Sequence, residues 1–190
     1  MRVFKTFALA AVASLGLGAV SAQAAEQRSL CVFDIIGANG DVYNVMKDLK
    51  TQAAGWGVDL KLKPYTDEKI AAEDLKAGQC DGAVLTGLRV RQFNSFAGSM
   101  EAIGAIPTYK ELKTVMRVLA SDAPSITSKM KSGSYIMGGM IPMGAAYLFV
   151  KDREIDTVGE LSGKSISVME YDPAQAEMAS KVGMSPVLSD

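Results

Sequence analysis

The 190-residue sequence contains no histidine. That absence removes the commonest general base and the commonest metal ligand together, and with them any Ser/His/Asp set. No pair of carboxylates is placed for acid/base work either. Charge imbalance is lacking too. The 20 lysines and arginines, against 21 acidic residues, are scattered along the chain and leave no basic footprint for DNA or RNA. Cysteine is scarce: Cys31 and Cys80 are the whole supply, without CxxC spacing, which argues against a thiolate metal site or a redox pair. Beyond the first two dozen residues no apolar run approaches membrane-spanning length.

What is present begins with an export label. Arg2 and Lys5 give a positive start, "FALAAVASLGLGAV" supplies a short apolar stretch, and "AQA" at Ala22 to Ala24 is a small-x-small cleavage site. Residues 1–25 are therefore expected to be a signal peptide cleaved near Ala24 or Ala25, delivering a soluble protein to the bacterial periplasm. Lipid anchoring is disfavoured because Arg28, Ser29 and bulky Leu30 precede Cys31. In an oxidising compartment Cys31 and Cys80 are expected to form one disulfide, which the chain-entropy model values at about 4 kcal/mol for a loop of this length.

The mature chain opens as strand, helix, strand, helix, strand. "LCVFDII" suits a buried parallel strand. "DVYNVMKDLKTQAAGWG" places Val42, Val45, Met46, Leu49 and Ala53 at helical spacing, and "VDLKLKPY" alternates apolar with charged residues. "TDEKIAAEDLKAG" reads as a helix capped by Thr66, and "CDGAVLTG" as a third strand. The expected fold class is α/β, a parallel-rich sheet with helices on both faces. With the third strand beside the first, both cysteines are expected at the amino ends of neighbouring strands. Further on, "LRVRQFNSF" reads as a short helix, "MEAIGAIP" as a strand-like run and "TYKELKTVMRVLAS" as a capped amphipathic helix. "SYIMGGMIPMGAAYLFV" reads as two extended pieces, the second being "AAYLFV". The pattern then restarts with a short helix in "DTVGELSG", a strand in "KSISVMEY", a helix in "DPAQAEMASKVG" capped by Asp172, and the start of a strand in "MSPVLSD". The division expected is a first α/β lobe over residues 26–150 and an incomplete second over 151–190.

Three strand-to-helix junctions carry the candidate binding residues. Gly37, Ala38, Asn39 and Asp41 lie in a GxxG loop before a helix, able to present backbone N–H groups to an anion or polar solute, or merely to turn. Thr86, Gly87, Arg89 and Arg91 leave the third strand with a hydroxyl and two guanidinium groups; these arginines either clamp an acid or are solvated surface charge. Tyr171 follows the "KSISVMEY" strand, where it either stacks on a ligand or is an ordinary partly buried aromatic. The methionines of "IMGGMIPMG" suit an adaptable apolar surface or core filler. The acidic pairs Asp67/Glu68 and Glu73/Asp74 read as solvated helix-surface charge. In open α/β sheets ligands sit outside the carboxyl ends of strands, which raises all three junctions together.

The order of parts resembles the lobe crossover of bacterial periplasmic solute-binding proteins of the two-lobed type II kind. The resemblance rests on "YLFVKDREIDTVGELSGKSISVMEYDPAQAEMASKVGMSPVLSD", in which Glu160 to Val168 matches a "dLkGKkv.v" segment and Val182 to Val187 an "lGa.pv" turn. The opening "RSLCVFDIIGANGDVYNVMKDLK" is similar to an uncharacterised family of solute-binding proteins. The resemblance implies a solute held between lobes that close about a hinge near Val150 to Asp152, and delivery to an inner-membrane transporter. It implies no catalysis, cofactor or metal, and a chain corresponding to the amino-terminal part of such a protein. The solute read from these residues is a small molecule, an organic acid or other amphipathic compound. An exported enzyme-like α/β domain and a ligand-free interaction domain are the alternatives.

Overall fold

The computed structural model describes residues 24–102, 104–144 and 147–189. Apart from its last two residues, the expected signal peptide lies outside them. β1 (Glu26–Phe33), α1 (Asp41–Gly55), β2 (Val58–Tyr65), α2 (Glu68–Lys76) and β3 (Gly82–Val84) form a βαβαβ unit with an all-parallel sheet in the order β2-β1-β3. The first crossover runs from β1 to β2 and the second returns from β2 past β1 to β3, so the two move across the sheet in opposite directions and crossovers of the usual right hand put α1 and α2 on opposite faces. Burial agrees. Successive side chains of a strand point to opposite faces, yet Cys31 and Val32 are both 0% exposed, so the centre of β1 is covered on both sides.

Cys31 and Cys80 are joined in a disulfide with 5.8 Å between Cα atoms, packed with Ala71 of α2. Cys80 precedes β3 as expected, but Cys31 lies well along β1 rather than at its amino end. The strand starts at Glu26, because parallel pairing with β2 extends through the polar residues Glu26 to Ser29. The bridge therefore sits inside the core, under α2.

α1 begins without a capping side chain of its own; Gly40 is its N-cap. The carboxylate comes instead from Asp34, just past β1, which accepts hydrogen bonds from the backbone N–H groups of Ile36 (2.9 Å) and Tyr43 (3.2 Å). Those bonds, led by that from Ile36, hold the Asp34 carboxyl below its ordinary range despite the opposing effect of burial. A Cβ on Gly40 would lie 1.8 Å from Asp34 Oδ1, so the close approach demands glycine. α2 is capped by Asp67, not Thr66: its carboxylate accepts from Ile70 N–H at 3.2 Å, which lets Glu68 start the helix.

The rest of the chain is more loosely built. α3 (Gly87–Val90) and α4 (Phe96–Met100) follow β3 directly. The expected strand-like run "MEAIGAIP" forms no strand among the described residues, and its first residue, Met100, ends α4: the Asn94 side chain accepts from Phe96 N–H (2.9 Å) and starts a helical turn, and Gly104, at φ +76°, bends the chain beyond it. α5 (Tyr109–Leu119), capped by Thr108 as expected, leads to α6 (Pro124–Thr127) and a hairpin of β4 (Lys131–Ser132) and β5 (Tyr135–Ile136). An edge-on contact between Phe93 and Tyr135, 4.9 Å between centroids, fastens that hairpin to the α3–α4 region. Tyr147 to Val150 form no strand among the described residues: no neighbouring strand offers them a ladder, and Phe149 is 89% exposed. Ala145 and Ala146 lie outside the described residues. "DTVGELSG" forms the expected short helix, as a 3-10 turn at Val158–Leu161, held by Glu160, whose carboxylate accepts from the N–H and hydroxyl of Thr157. β6 (Ser165–Met169), α7 (Pro173–Lys181) and β7 (Ser185–Ser189) complete a second parallel unit around Val168, Ala179 and Met184.

Two stability measurements test this account. Opening the disulfide with a Cys31→Ala/Cys80→Ala variant should lower stability by about 4 kcal/mol and steepen the urea slope, because the denatured chain without its cross-link is less compact and exposes more surface. Asp34→Asn should lower the melting temperature at neutral pH. Because the folded Asp34 pKa is depressed, its contribution is present above the unfolded value near 3.9 and is lost as pH falls through the folded one; the gap between variant and parent should therefore close in acid.

Candidate functional site

The carboxyl ends of β1, β2, β3 and β6 converge on one cleft of about 460 Å³, whose lining includes Phe33, Thr66, Thr86, Arg89, Met169 and Tyr171. Phe33 and Met169 are the last residues of their strands, Thr66 follows directly on β2, and Thr86 lies two residues past the end of β3. The first unit thus supplies one wall and the β6–α7 junction the other. Such a place, outside strand ends where crossovers diverge from β1, is where open α/β sheets bind ligands.

Arg89 forms the cleft's inner wall and is 6% exposed. Its guanidinium lies between two partners: Nε is 3.5 Å from a Glu68 carboxylate oxygen, and Cζ stands 3.4 Å from the centroid of the Tyr171 ring. Glu68 also accepts from the backbone N–H of Thr86, and Thr86 Oγ1 accepts from Arg89 N–H at 3.3 Å. The first turn of α2, the exit of β3 and α3 are locked into one charge-assisted network. Lys69, the next residue of α2, reaches across to Glu170 at 2.9 Å, in a half-exposed pair at the mouth.

Arg91 points elsewhere. Its Nη1 donates to Asp172 Oδ2 at 2.8 Å, and its Nε lies 3.8 Å from Glu101. Burial raises the Glu101 carboxyl above its ordinary range, with nearby Asp172 and Glu68 adding to the effect and Arg91 opposing it. A Cβ on Gly87 would meet Glu101 at 2.1 Å, so glycine there makes room for that carboxylate. Arg91 lines a second, wider groove of about 1340 Å³, walled by apolar side chains including Leu148, Val150, Ile166, Met178 and Met184. Between them, three consecutive residues, Glu170, Tyr171 and Asp172, each hold a different cation of the first unit.

Thr86, Arg89 and Tyr171 are thus brought together. Gly87 supports them from α3, and Arg91 serves the neighbouring groove. Gly37, Ala38, Asn39 and Asp41 stand beside the cleft rather than in its lining; Gly37 approaches Thr66, and the helix N-terminus they precede already holds the Asp34 carboxylate. Asp172 does not cap α7 with its side chain as expected, because Arg91 claims the carboxylate, and the Gln175 amide oxygen accepts from Met169 N–H (3.0 Å). Glu68, read as solvated charge, is 9% exposed and ion-paired, while Asp74 accepts from the Tyr65 hydroxyl at 2.6 Å. Lys69, Phe33 and Met169 were not singled out; their positions at strand ends and at the head of α2 are the signal that would have found them.

A family model described as "Solute-binding protein AdeT 1/2" matches residues 49–190. A curated relative in Acinetobacter baumannii, named probable solute-binding protein AdeT1, is 45% identical over 159 residues, which is 84% of this chain and 52% of that protein. Another from the same organism, probable solute-binding protein AdeT2, is 32% identical over 93 residues, 49% of this chain and 38% of that protein. The chain therefore spans about half the length of the first relative. No solved structure matches.

Removing one partner of a buried ion pair strands the other. Arg89→Met should destabilise by roughly 3–5 kcal/mol, and adding Glu68→Gln should recover much of that loss, a non-additivity readable in a double-mutant cycle of urea melts.

Proposed function

The chain belongs to the AdeT 1/2 family of solute-binding proteins, and we propose that it is a non-catalytic periplasmic receptor that captures a small solute in the cleft at Arg89 and Tyr171 and hands it to an inner-membrane transporter. In this reading residues 1–25 are the cleaved export signal, residues 26–150 build the first lobe of a type II two-lobed binding protein, and residues 151–190 begin the second. The observation that carries the proposal is the convergence of strand ends from both parallel units on one cleft, with polar and aromatic groups contributed from each side.

The physical logic is that of a clamp. A solute between the two units buries surface against both, so its binding energy is spent on holding them together. Thr66 and Thr86 contribute hydroxyls to the lining, Arg89 a buried positive charge already paired with Glu68, and Phe33, Leu88, Met169 and Tyr171 apolar surface. Glu170 to Asp172 hold the second unit against the first and lie within about twenty residues of the proposed hinge near Val150 to Asp152, so a small rotation there opens or closes the mouth.

A thermal-shift screen of the purified protein against organic acids, amino acids, sugars and lipids tests this reading. A ligand at a hundredfold excess over its Kd should stabilise by about 2.7 kcal/mol and move the melt visibly. Tyr171→Leu should abolish that shift while keeping a cooperative transition. A cooperative melt that no class moves would count against a solute receptor and for an interaction domain; turnover of any compound would revive the enzyme reading.

A further inference from the structure

Glu101 is a carboxylate that its surroundings leave short of a donor. It lines the wide groove beside Arg91, and among the described residues no N–H or O–H donates to it. Arg91 faces it with Nε at 3.8 Å, too far for a hydrogen bond, and that buried N–H makes none elsewhere. Arg91 is not placed to close the distance. Its Nη1 is tied at 2.8 Å to Asp172, itself 4% exposed, and its stem lies tight against α4, where a Cβ on Gly98 would come within 2.9 Å of Nε. Burial works against the Glu101 charge, and the ion pair with Arg91 offsets that only in part. So poorly answered a charge is a cost to folding.

Around Glu101 the groove is apolar. Leu148, Val150 and Met178 stand exposed along it, and contiguous apolar surface of this kind marks a binding face. The remaining formal charges of the lining, Lys151, Asp152 and Lys164, belong to exposed residues that water solvates.

We infer that the groove binds an amphipathic organic cation, whose primary ammonium donates to Glu101 while its alkyl or aromatic body lies along Leu148, Val150, Ile166 and Met178. This site is separate from the cleft at Arg89 and goes beyond the receptor reading. Charge complementarity supports it. An ammonium brings the N–H donors that Arg91 does not deliver, and it leaves the bond from Arg91 to Asp172 intact. An anion would meet Glu101 and Asp172 as like charges, and an uncharged chain would leave the carboxylate unanswered. Size agrees, since a groove of about 1340 Å³ takes a long apolar body rather than a bare ion. Glu101 comes from the first unit, Ile166 and Met178 from the second, so the cation touches both.

The isotope-labelled chain, titrated with octylammonium chloride and followed by amide NMR, tests the inference, with octan-1-ol, sodium octanoate and butylammonium chloride titrated separately. Octylammonium should cause saturable shifts at Glu101, Ile166 and Met178, and butylammonium should bind about tenfold or more weakly for want of apolar contact. Glu101→Gln should weaken octylammonium binding about tenfold or more, the worth of one charge-assisted hydrogen bond. The same variant should melt cooperatively at or above the parent's temperature, because it removes a disfavoured charge; a carboxylate kept only to brace Arg91 would give a lower one, against the inference. Octanol or octanoate binding as tightly as octylammonium, shifts that never saturate, or unchanged affinity in Glu101→Gln would each overturn it. A groove that takes none of the probes would overturn it too, and would read instead as a face covered by another segment of protein.

Discussion

Glu68 and Arg89 are taken out of water side by side, and much of the molecule is arranged so that this costs little. Each charge left alone at that depth would be strongly unfavourable. Together, with Thr86 N–H donating to Glu68 and the Tyr171 ring against the guanidinium, they are a paired cluster, although the buried Arg89 Nε–H makes no hydrogen bond. The cluster sets how α2 begins, how β3 gives way to α3, and where the β6–α7 junction rests. An apolar plug of the same volume would hold these elements as firmly, but it would place no fixed charge at the back of a cleft.

Legibility in the sequence followed the range of the interactions. The βαβαβ order and the Thr108 cap of α5 depend on neighbours a few residues away, and the residue pattern displays them; the apolar face of α1 was legible in part, since Met46 and Ala53 are buried but Val45 is exposed. The Cys31–Cys80 pairing was also readable, because two lone cysteines in an exported chain have one arrangement open to them. Elements that failed did so for two reasons. "MEAIGAIP" has strand-like composition, but a local cap from Asn94 had already turned the preceding backbone into a helix. Tyr147 to Val150 have every local mark of a strand and no partner to pair with among the described residues.

The site shows the same division. That Thr86, Arg89 and Tyr171 deserved notice followed from their places at strand ends. That Arg89 would face Glu68, that Arg91 would turn to Asp172, and that Asp34 would occupy the head of α1 could not be read locally, since these contacts span from nine to more than eighty positions of chain. Acidic residues in the first turn of a helix look alike in sequence whether they meet solvent or a guanidinium. Glu68 was mistaken for the former for that reason.

The disulfide carries a kinetic consequence. Its two sulfurs belong to residues 0% and 3% exposed, beneath α2, so an external thiol has no line of attack while the sheet and helix stay together. Thiol–disulfide exchange requires the attacking thiolate to reach a sulfur directly. Reduction therefore waits on excursions in which α2 lifts from β1, and under excess reductant its rate becomes a clock for that opening. Since α2 also carries Glu68 and Lys69, anything that stills the cleft should slow the clock from a distance of one helix.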